Sequence, residues 1–199
     1  MSLRIQNLSF LDWRDLSLDL GAEEIVAIMG DSGSGKSLFL RAIADLILSE
    51  GTVEHFGKSR EEFEPTDWRR KIGFLPAEVF WWEDRVMDHF EKAPSSDWMK
   101  RLSLDESSLH WQPQRLSMGE RQRLGLLRLL DRQPKVLLLD EPTANLNESA
   151  TSCVESLISE YIQSTGAAAI WVTHSESQAA RVATKQFRMS DKRLSLIES

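Results

Sequence analysis

Residues 30–37 form a glycine-rich loop with the pattern G-x-x-x-x-G-K-S. Glycines at these positions let backbone N–H groups turn inward around phosphate oxygens. We therefore expect Lys36 to reach the β- and γ-phosphates of a nucleotide, and the Ser37 hydroxyl to bind Mg²⁺. The predicted contacts of this phosphate loop are Gly30, Ser32, Gly33, Ser34, Gly35, Lys36, Ser37 and Leu38. The alternative, a flexible Gly/Ser turn, is disfavoured because an apolar strand precedes the loop and a helical pattern follows it.

An acidic pair, Asp140–Glu141, follows the apolar run Val136–Leu139. A carboxylate at the carboxyl end of a buried strand lies where a parallel sheet binds ligands. Beside a phosphate loop, we expect Asp140 to hold Mg²⁺ through its water shell and Glu141 to polarise the attacking water. Taken alone, such a pair is more often a solvated turn. The two motifs together predict phosphoryl chemistry with a magnesium ion.

Two further segments have good structural interpretations when each is taken alone. In Leu116–Gln122, Ser117 and Glu120 have the S-x-x-E spacing of a helix capping box. His174 follows Thr173 at the end of an apolar run, where a histidine is usually an ordinary surface residue. Neither segment predicts chemistry without its place in the chain.

The apolar pattern predicts the elements that position these motifs. Continuous apolar runs, typical of strands buried on both faces, occupy 25–29, 136–139 and 168–173. Other predicted strands are 3–10, 16–20, 52–56, 72–75, 187–189 and 194–197. Predicted helices run from the phosphate loop to Ile47, over 119–130 and 148–163, and after Ser175. Buried strands that alternate with helices predict an α/β fold with a mainly parallel sheet.

The composition excludes several classes of protein. The chain has 199 residues, of which 41% are hydrophobic, enough for one domain with a full core. No apolar window of about 18 residues predicts a membrane span, and the N-terminus lacks the apolar segment of a signal peptide. The single cysteine, Cys153, excludes an internal disulfide framework and fits the cytoplasm. A net charge of −7 argues against a nucleic-acid partner, because such binding needs a basic stripe.

In their order along the chain, the motifs resemble those of the ATP-binding-cassette (ABC) ATPases. Leu116–Gln122 is similar to the signature loop that is unique to this family, and it precedes Asp140 at the family's spacing. His174 resembles the family's switch histidine, and Pro142–Asn147 resembles the loop that links two ATP sites. The resemblance extends from Leu3 to about Met189, nearly the whole chain.

The resemblance implies a P-loop NTPase core with an N-terminal antiparallel β part and a small helical subdomain. The implied single cassette spans 1–199, with its core at about 1–76 and 114–199 and its helical subdomain at about 77–113 plus the start of the signature helix. It also implies that the chain lies in the cytoplasm, on the inner face of the cell membrane, and powers transport by a separate membrane subunit.

The resemblance further implies a homodimer of cassettes, stacked head to tail around two ATP molecules. Each ATP would rest on the Lys36 loop of one chain and be covered by Ser117 and Gly119 of the other. Glu141 and His174 would act in hydrolysis, after which the dimer would open.

Two sets of aromatic residues have open alternatives. The family stacks an aromatic residue near the N-terminus on adenine, and we expect Trp13, rather than Phe10, in this role; ordinary core packing is the alternative. The integral membrane permease subunit is expected to dock near Val79, Phe80, Trp81 and Trp82, or else these residues only pack the small subdomain.

The sequence departs from the family pattern at the nucleotide site. Ala77 stands where the family has a glutamine that contacts Mg²⁺ and the attacking water, and Glu78 is a weak substitute. Met118 replaces a signature glycine, Leu38 a threonine, and Asn147 an aspartate. Two alternatives to a transport ATPase therefore remain: a non-transport ABC ATPase, and a nucleotide-gated regulatory subunit with little turnover.

Overall fold

The structure, a computed structural model, describes residues 1–197 and contains ten strands and six α-helices within that range. The strands are β1 (Leu3–Phe10), β2 (Trp13–Leu20), β3 (Ile25–Met29), β4 (Glu50–His55), β5 (Lys58–Ser59), β6 (Ile72–Leu75), β7 (Val136–Asp140), β8 (Ala168–Val172), β9 (Lys185–Ser190) and β10 (Arg193–Leu196). The helices are α1 (Lys36–Ile43), α2 (Pro65–Lys71), α3 (Ser96–Arg101), α4 (Met118–Asp131), α5 (Glu148–Thr165) and α6 (Glu176–Val182).

The strands form two sheets. The larger sheet has the order β10-β9-β3-β8-β7-β6, parallel from β9 to β6, with β10 antiparallel at its edge. The smaller sheet is antiparallel, with the order β2-β1-β4-β5. The predicted α/β fold with a mainly parallel sheet and an N-terminal antiparallel part is confirmed.

The central strands bury both of their faces, which explains their continuous apolar runs. On one face, Ile28, Leu138 and Ile170 pack with α1 and the antiparallel sheet. On the other face, Leu139 and Trp171 pack with α4 and α5. All five residues of each of β3, β7 and β8 are buried. The middle of the large sheet is therefore a rigid platform for the loops at its carboxyl end.

Several element boundaries differ from the predicted ones. The strand β2 begins at Trp13, three residues earlier than predicted. The helix α1 ends at Ile43 rather than Ile47, because Asp45 takes a left-handed φ of 58° that a helix cannot continue through. No sequence pattern predicted α2, which starts with Pro65 in its first turn, or the two-residue strand β5. Residues 198–199 of the predicted core lie outside the described residues.

Between β6 and α4 the chain forms α3 and short 3-10 turns. The turns are Val86–His89, Glu106–His110 and Pro113–Arg115. Across residues 1–197, no helix combines the length and the apolar character needed to cross a bilayer.

Candidate functional site

The phosphate loop, the acidic pair Asp140–Glu141 and His174 lie at one edge of the large sheet. In the parallel register, Ile28 pairs with Val172, and Asp140 also pairs with Val172. The loops that follow β3, β7 and β8 therefore begin side by side. This alignment brings together the phosphate loop, Glu141 and His174, as expected at the carboxyl ends of parallel strands.

The phosphate loop needs glycine at two positions where the backbone is left-handed and crowded. Gly35 has a φ of 84°, and a Cβ there would lie 2.5 Å from the ring of Trp13. Gly30 has a φ of 153°, and a Cβ there would lie 2.3 Å from the carbonyl oxygen of Met189. Any other residue would push the loop away from the sheet.

Lys36 lies in the first turn of α1 with its ammonium inside the loop. Its Nζ donates to the carbonyl oxygens of Gly30 at 2.7 Å and Asp31 at 2.8 Å, and to Ser34 Oγ at 3.2 Å. Burial lowers the pKa of Lys36, and the nearby carboxylates of Glu141 and Asp140 oppose that effect. The cation is thus aimed into the loop, where phosphate oxygens would replace the carbonyl partners.

Asp140 and Ser37 bring two hard oxygen ligands together at the end of the phosphate loop. Asp140 is buried, and burial raises the pKa of its carboxyl group although the hydrogen bond with the Ser37 side chain lowers it. One carboxylate and one hydroxyl beside a phosphate loop suit Mg²⁺, which takes its other ligands from water and phosphates. No cluster of three or more His, Cys, Asp or Glu that could hold a metal occurs within residues 1–197.

Glu141 and His174 contact each other above the loop. His174 Nε2 lies 2.5 Å from Glu141 Oε1, and both side chains are partly exposed. Glu141 holds a left-handed φ of 48°, while its N–H donates to the carbonyl oxygen of Val172. A pocket of about 190 Å³ is lined by Ser32, Gly33, Ser34, Gly35, Lys36, Ser37, Leu38, Glu141 and His174. The structure thus joins most of the predicted site in one cavity.

The signature segment forms the predicted capping box at the start of α4. Ser117 Oγ accepts from the Glu120 N–H at 3.3 Å, and Glu120 Oε2 accepts from the Ser117 N–H at 2.8 Å. Ser117 and Gly119 are not among the residues that line the 190 Å³ pocket. A Cβ on Gly119 would lie 3.1 Å from Leu146, in the loop after Glu141. Within one chain, this segment therefore does not complete the phosphate pocket.

Trp13, the predicted adenine platform, is mostly buried beside the phosphate loop. Its ring stacks on Phe10, with centroids 6.2 Å apart, and only 9% of the residue is exposed. The ring also covers Gly35. An adenine base would reach only the small exposed part of the indole. Stacking of adenine on Trp13 stays a prediction.

Ala77 and Glu78 follow β6 and are both exposed. Neither lines the 190 Å³ pocket. Gln122 on α4 contacts the residue before them, since its Nε2 donates to the carbonyl oxygen of Pro76 at 3.4 Å. The structure therefore offers no substitute at position 77 for the glutamine that the family pattern expects.

The predicted docking stretch, residues 79–82, contains both buried and exposed side chains. Val79 is buried against Gly125, so it offers no surface of its own. Phe80 and Trp82 are 68% and 66% exposed, and Trp81 is partly buried. We call Phe80 and Trp82 the aromatic ledge.

Two side chains, His89 and Arg128, hold the aromatic ledge in place. His89 Nε2 accepts from the N–H groups of Trp82 at 2.8 Å and Glu83 at 2.9 Å. Arg128 on α4 donates to the carbonyl oxygen of Phe80 at 3.0 Å, and its guanidinium lies 5.0 Å from the Trp82 ring centroid. Burial lowers the pKa of Arg128 to about 10, so it remains a cation at neutral pH.

A buried hydrogen-bond network beside the pocket was missed by the sequence analysis. Gln178 on α6 is buried and contacts Thr173, Thr143 and Glu155. A glutamine in a short helix after Ser175 looks like a surface residue in the sequence. The only available signal was its position four residues after His174.

Comparison with known proteins decides the family. The family model for the ABC transporter matches residues 13–144. A probable iron export ATP-binding protein of Escherichia coli strain K12 is 32% identical over 193 residues, covering 88% of this chain and 86% of the relative. A phosphate import ATP-binding protein of Pyrococcus furiosus is 34% identical over 198 residues, covering 85% of this chain and 77% of the relative.

The chain belongs to the ABC transporter family. This membership confirms the predicted family and the predicted ATP-binding, ATP-hydrolysing activity of a transporter subunit. The cassette relatives include both export and import subunits, so the family does not give the direction of transport.

Solved structures agree on the fold of the cassette. One, described as the ATP-binding subunit of an ABC transporter, has a TM-score of 0.87 and 20% identity, covering 98% of this chain and 88% of that chain. Another is a dimeric ATP-binding cassette in a post-hydrolysis state bound to ADP and Pi. It has a TM-score of 0.80 and 22% identity, covering 96% of each chain.

Proposed function

We propose that this cassette hydrolyses ATP with Glu141 and His174, as one half of a dimer that drives a separate membrane subunit. The observation that carries the proposal is the Glu141–His174 contact of 2.5 Å directly above the Lys36 loop. A base and a histidine placed together at the open side of a phosphate pocket can both reach the γ-phosphate and its attacking water.

The chemistry of each residue follows from its position. Lys36 neutralises the β- and γ-phosphates, and the loop N–H groups hold their oxygens. Ser37 and Asp140 would hold Mg²⁺, which when bound spreads the charge of the transferred phosphoryl group. Glu141 accepts hydrogen bonds from the attacking water and orients it. His174 donates from Nε2 to an oxygen of the γ-phosphate, in place of its present contact with Glu141.

The position of the signature segment supports the dimer. Ser117 is exposed at the amino end of the 14-residue helix α4, and it lies outside its own chain's phosphate pocket. The N–H groups at the amino end of α4 and the dipole of this helix are suited to binding an anion. We infer that Ser117 and Gly119 cover the ATP held by the other cassette, so that two ATP molecules lie in the interface.

The membrane subunit docks on the aromatic ledge, in the helical subdomain at about 77–113. Two large exposed aromatic side chains held by His89 and Arg128 form a preorganised apolar surface, which favours binding because little entropy is lost. A permease segment with an apolar face fits this surface. The cassette would then lie on the cytoplasmic face of the membrane, held there by its partner.

ATP-dependent dimer formation tests this proposal. Glu141→Gln keeps every phosphate contact but removes the base, so the protein should elute as a dimer in gel filtration with Mg-ATP and as a monomer without nucleotide. Lys36→Ala in the same background is the matched control and should stay monomeric with ATP. A Glu141→Gln protein that remains monomeric at high concentration with saturating ATP contradicts the proposed dimer.

A further inference from the structure

Gln178 connects the two chain segments that carry Glu141 and His174. Its Oε1 accepts a hydrogen bond from Thr173 Oγ1 at 2.7 Å, and its Nε2 donates to Thr143 Oγ1 at 2.9 Å. Thr173 directly precedes His174, and Thr143 lies two residues after Glu141. One amide group therefore bridges both sides of the Glu141–His174 contact.

The bridge is buried and anchored at a third point. Gln178 and Thr173 are each 5% exposed. Gln178 Nε2 also donates to Glu155 Oε1 at 2.8 Å, and Glu155 accepts two hydrogen bonds from Arg181, at 2.8 and 3.1 Å. Although burial opposes it, the hydrogen bonds from Arg181 and Gln178 lower the pKa of Glu155, so this acceptor stays ionised. The anchor belongs to α5 and α6, which pack outside the pocket.

The chemistry of an amide explains why this bridge holds both segments at once. The carbonyl oxygen accepts from one threonine while the amino group donates to the other and to a carboxylate. Both ends must be satisfied, because a buried polar group without a partner destabilises the folded chain. A shift of either segment would break one of these bonds, so the bridge opposes separation of Glu141 from His174.

We propose that Gln178 is a positioning residue for ATP hydrolysis, which holds Glu141 and His174 at their working separation through Thr143 and Thr173. The proposal rests on the proposed function of Glu141 and His174. It assigns Gln178 no contact with nucleotide. Its loss should therefore reduce turnover without weakening the binding of ATP.

The first test replaces the amide by a side chain of similar length that forms no hydrogen bonds. Gln178→Met is expected to lower kcat for phosphate release by about ten- to a hundred-fold, since small displacements of catalytic groups have effects of this size. The Kd for ATP is measured by calorimetry in proteins that carry Glu141→Gln, with and without Gln178→Met. Gln178→Met should change this Kd by less than about two-fold. Gln163→Met on the exposed side of α5 is the matched control and should change neither quantity.

Exchanging the carboxylate of Glu155 with the amide of Gln178 distinguishes a positioning role of Gln178 from a role in stability alone. Each single variant disrupts the network. In Glu155→Gln, two amides face each other and the network has too many donors. In Gln178→Glu, two carboxylates face each other and repel. In the double variant, the amide at position 155 donates to the carboxylate at position 178, which accepts from both threonine hydroxyls. We expect the double variant to recover kcat to within about three-fold of wild type, well above either single variant.

The outcomes distinguish this proposal from the proposed function. Wild-type turnover that Glu141→Gln abolishes supports the function whatever Gln178 does. With that established, unchanged kcat in Gln178→Met overturns the proposal. A double variant that regains the wild-type melting temperature but stays as slow as the single variants also overturns it. If Gln178→Met does not fold, Thr143→Val, which removes one acceptor at the network's edge, should show the same fall in kcat, and an unchanged kcat there counts against the bridge.

Discussion

At the scale of single residues, Lys36 shows how the phosphate loop is prepared for its ligand. Its three hydrogen bonds to Gly30, Asp31 and Ser34 keep the ammonium inside the loop although burial disfavours the charge. The cost of ordering this long side chain is therefore met before a nucleotide binds, and the cation needs only to exchange carbonyl oxygens for phosphate oxygens.

We predict that Lys36→Ala weakens ATP binding by about 2 kcal/mol, or roughly thirty-fold in Kd, because a charged hydrogen-bond donor to phosphate is lost. Calorimetric titration with Mg-ATP measures this change. Lys100→Ala, an exposed lysine on α3, is the control and should bind as wild type does. An unchanged affinity in Lys36→Ala rules out its assigned contact.

Asp140 gives a prediction that depends on pH. Burial raises its pKa above the ordinary value of 3.8, so its ionisation destabilises the folded chain at any pH above the folded pKa. This penalty fades as the pH falls toward 3.8, where the unfolded chain also binds the proton. Asp140→Asn should therefore raise the melting temperature by a few degrees at about pH 7.5, and the gain should shrink as the pH falls toward about 4.5.

Thermal unfolding followed by circular dichroism, without nucleotide, measures the effect. Asp84→Asn, an exposed aspartate, should leave the melting temperature unchanged at both pH values. A loss of stability in Asp140→Asn at neutral pH, or a gain that does not depend on pH, would show that burial of the charge is not the dominant effect.

At the scale of elements, long apolar runs carry most of what the sequence could predict. The strands β3, β7 and β8 are buried on both faces, so their composition alone marks them. The helix α2 has only seven residues, and its buried member is a single tryptophan, Trp68, so no periodic pattern marks it. Gln178 escaped notice for a related reason: its burial depends on α6 meeting α5, which no local pattern records.

The helix α4 depends on a glycine where it crosses the segment before the aromatic ledge. A Cβ on Gly125 would lie 2.7 Å from a methyl group of Val79, which is itself buried. We predict that Gly125→Ala destabilises the fold by about 1–3 kcal/mol through overpacking, although alanine favours a helix. Denaturant unfolding measures this change.

Gly119→Ala on the same helix is the matched control. A Cβ there meets the end of the Leu146 side chain at 3.1 Å, and that side chain can move. This variant should be as stable as wild type or slightly more stable. Equal stabilities of the two alanine variants would contradict the close approach of α4 to Val79.

At the scale of the whole molecule, the chain presents two surfaces to partners. The nucleotide edge carries the motifs that the sequence analysis named, and the structure gathers the phosphate loop, Glu141 and His174 there. The aromatic ledge was predicted only as part of a longer stretch, because the sequence could not tell that Val79 packs inward while Phe80 and Trp82 face outward. Burial of a short segment depends on its contacts with α4, which lie far along the chain.

We predict that Phe80→Ser with Trp82→Ser leaves ATP hydrolysis by the isolated cassette unchanged but removes its association with the membrane subunit. The physical reason is that the central apolar anchors of the docking surface are lost, while the pocket is untouched. Copurification from membranes with the integral subunit measures the effect. Phe56→Ser, at an aromatic residue that is 61% exposed elsewhere, is the control and should copurify normally. Retained association of the double variant would place the docking surface elsewhere.

Ala77 is the departure from the family pattern that bears most directly on turnover. It is exposed, outside the phosphate pocket, and has no polar group to replace an amide. If turnover depends on Glu141 alone, the alanine is compatible with hydrolysis. If turnover requires a side chain at this position, the cassette is a nucleotide-gated regulator.

Phosphate release with Mg-ATP tests the central claim most directly, measured for the wild-type chain beside Glu141→Gln and Ala77→Gln. We predict measurable turnover in wild type and a loss of at least about a hundred-fold in Glu141→Gln, the size expected for a general base. Turnover that persists unchanged in Glu141→Gln would contradict the assigned chemistry. No turnover in wild type, gained in Ala77→Gln, would contradict an active ATPase and support the regulator.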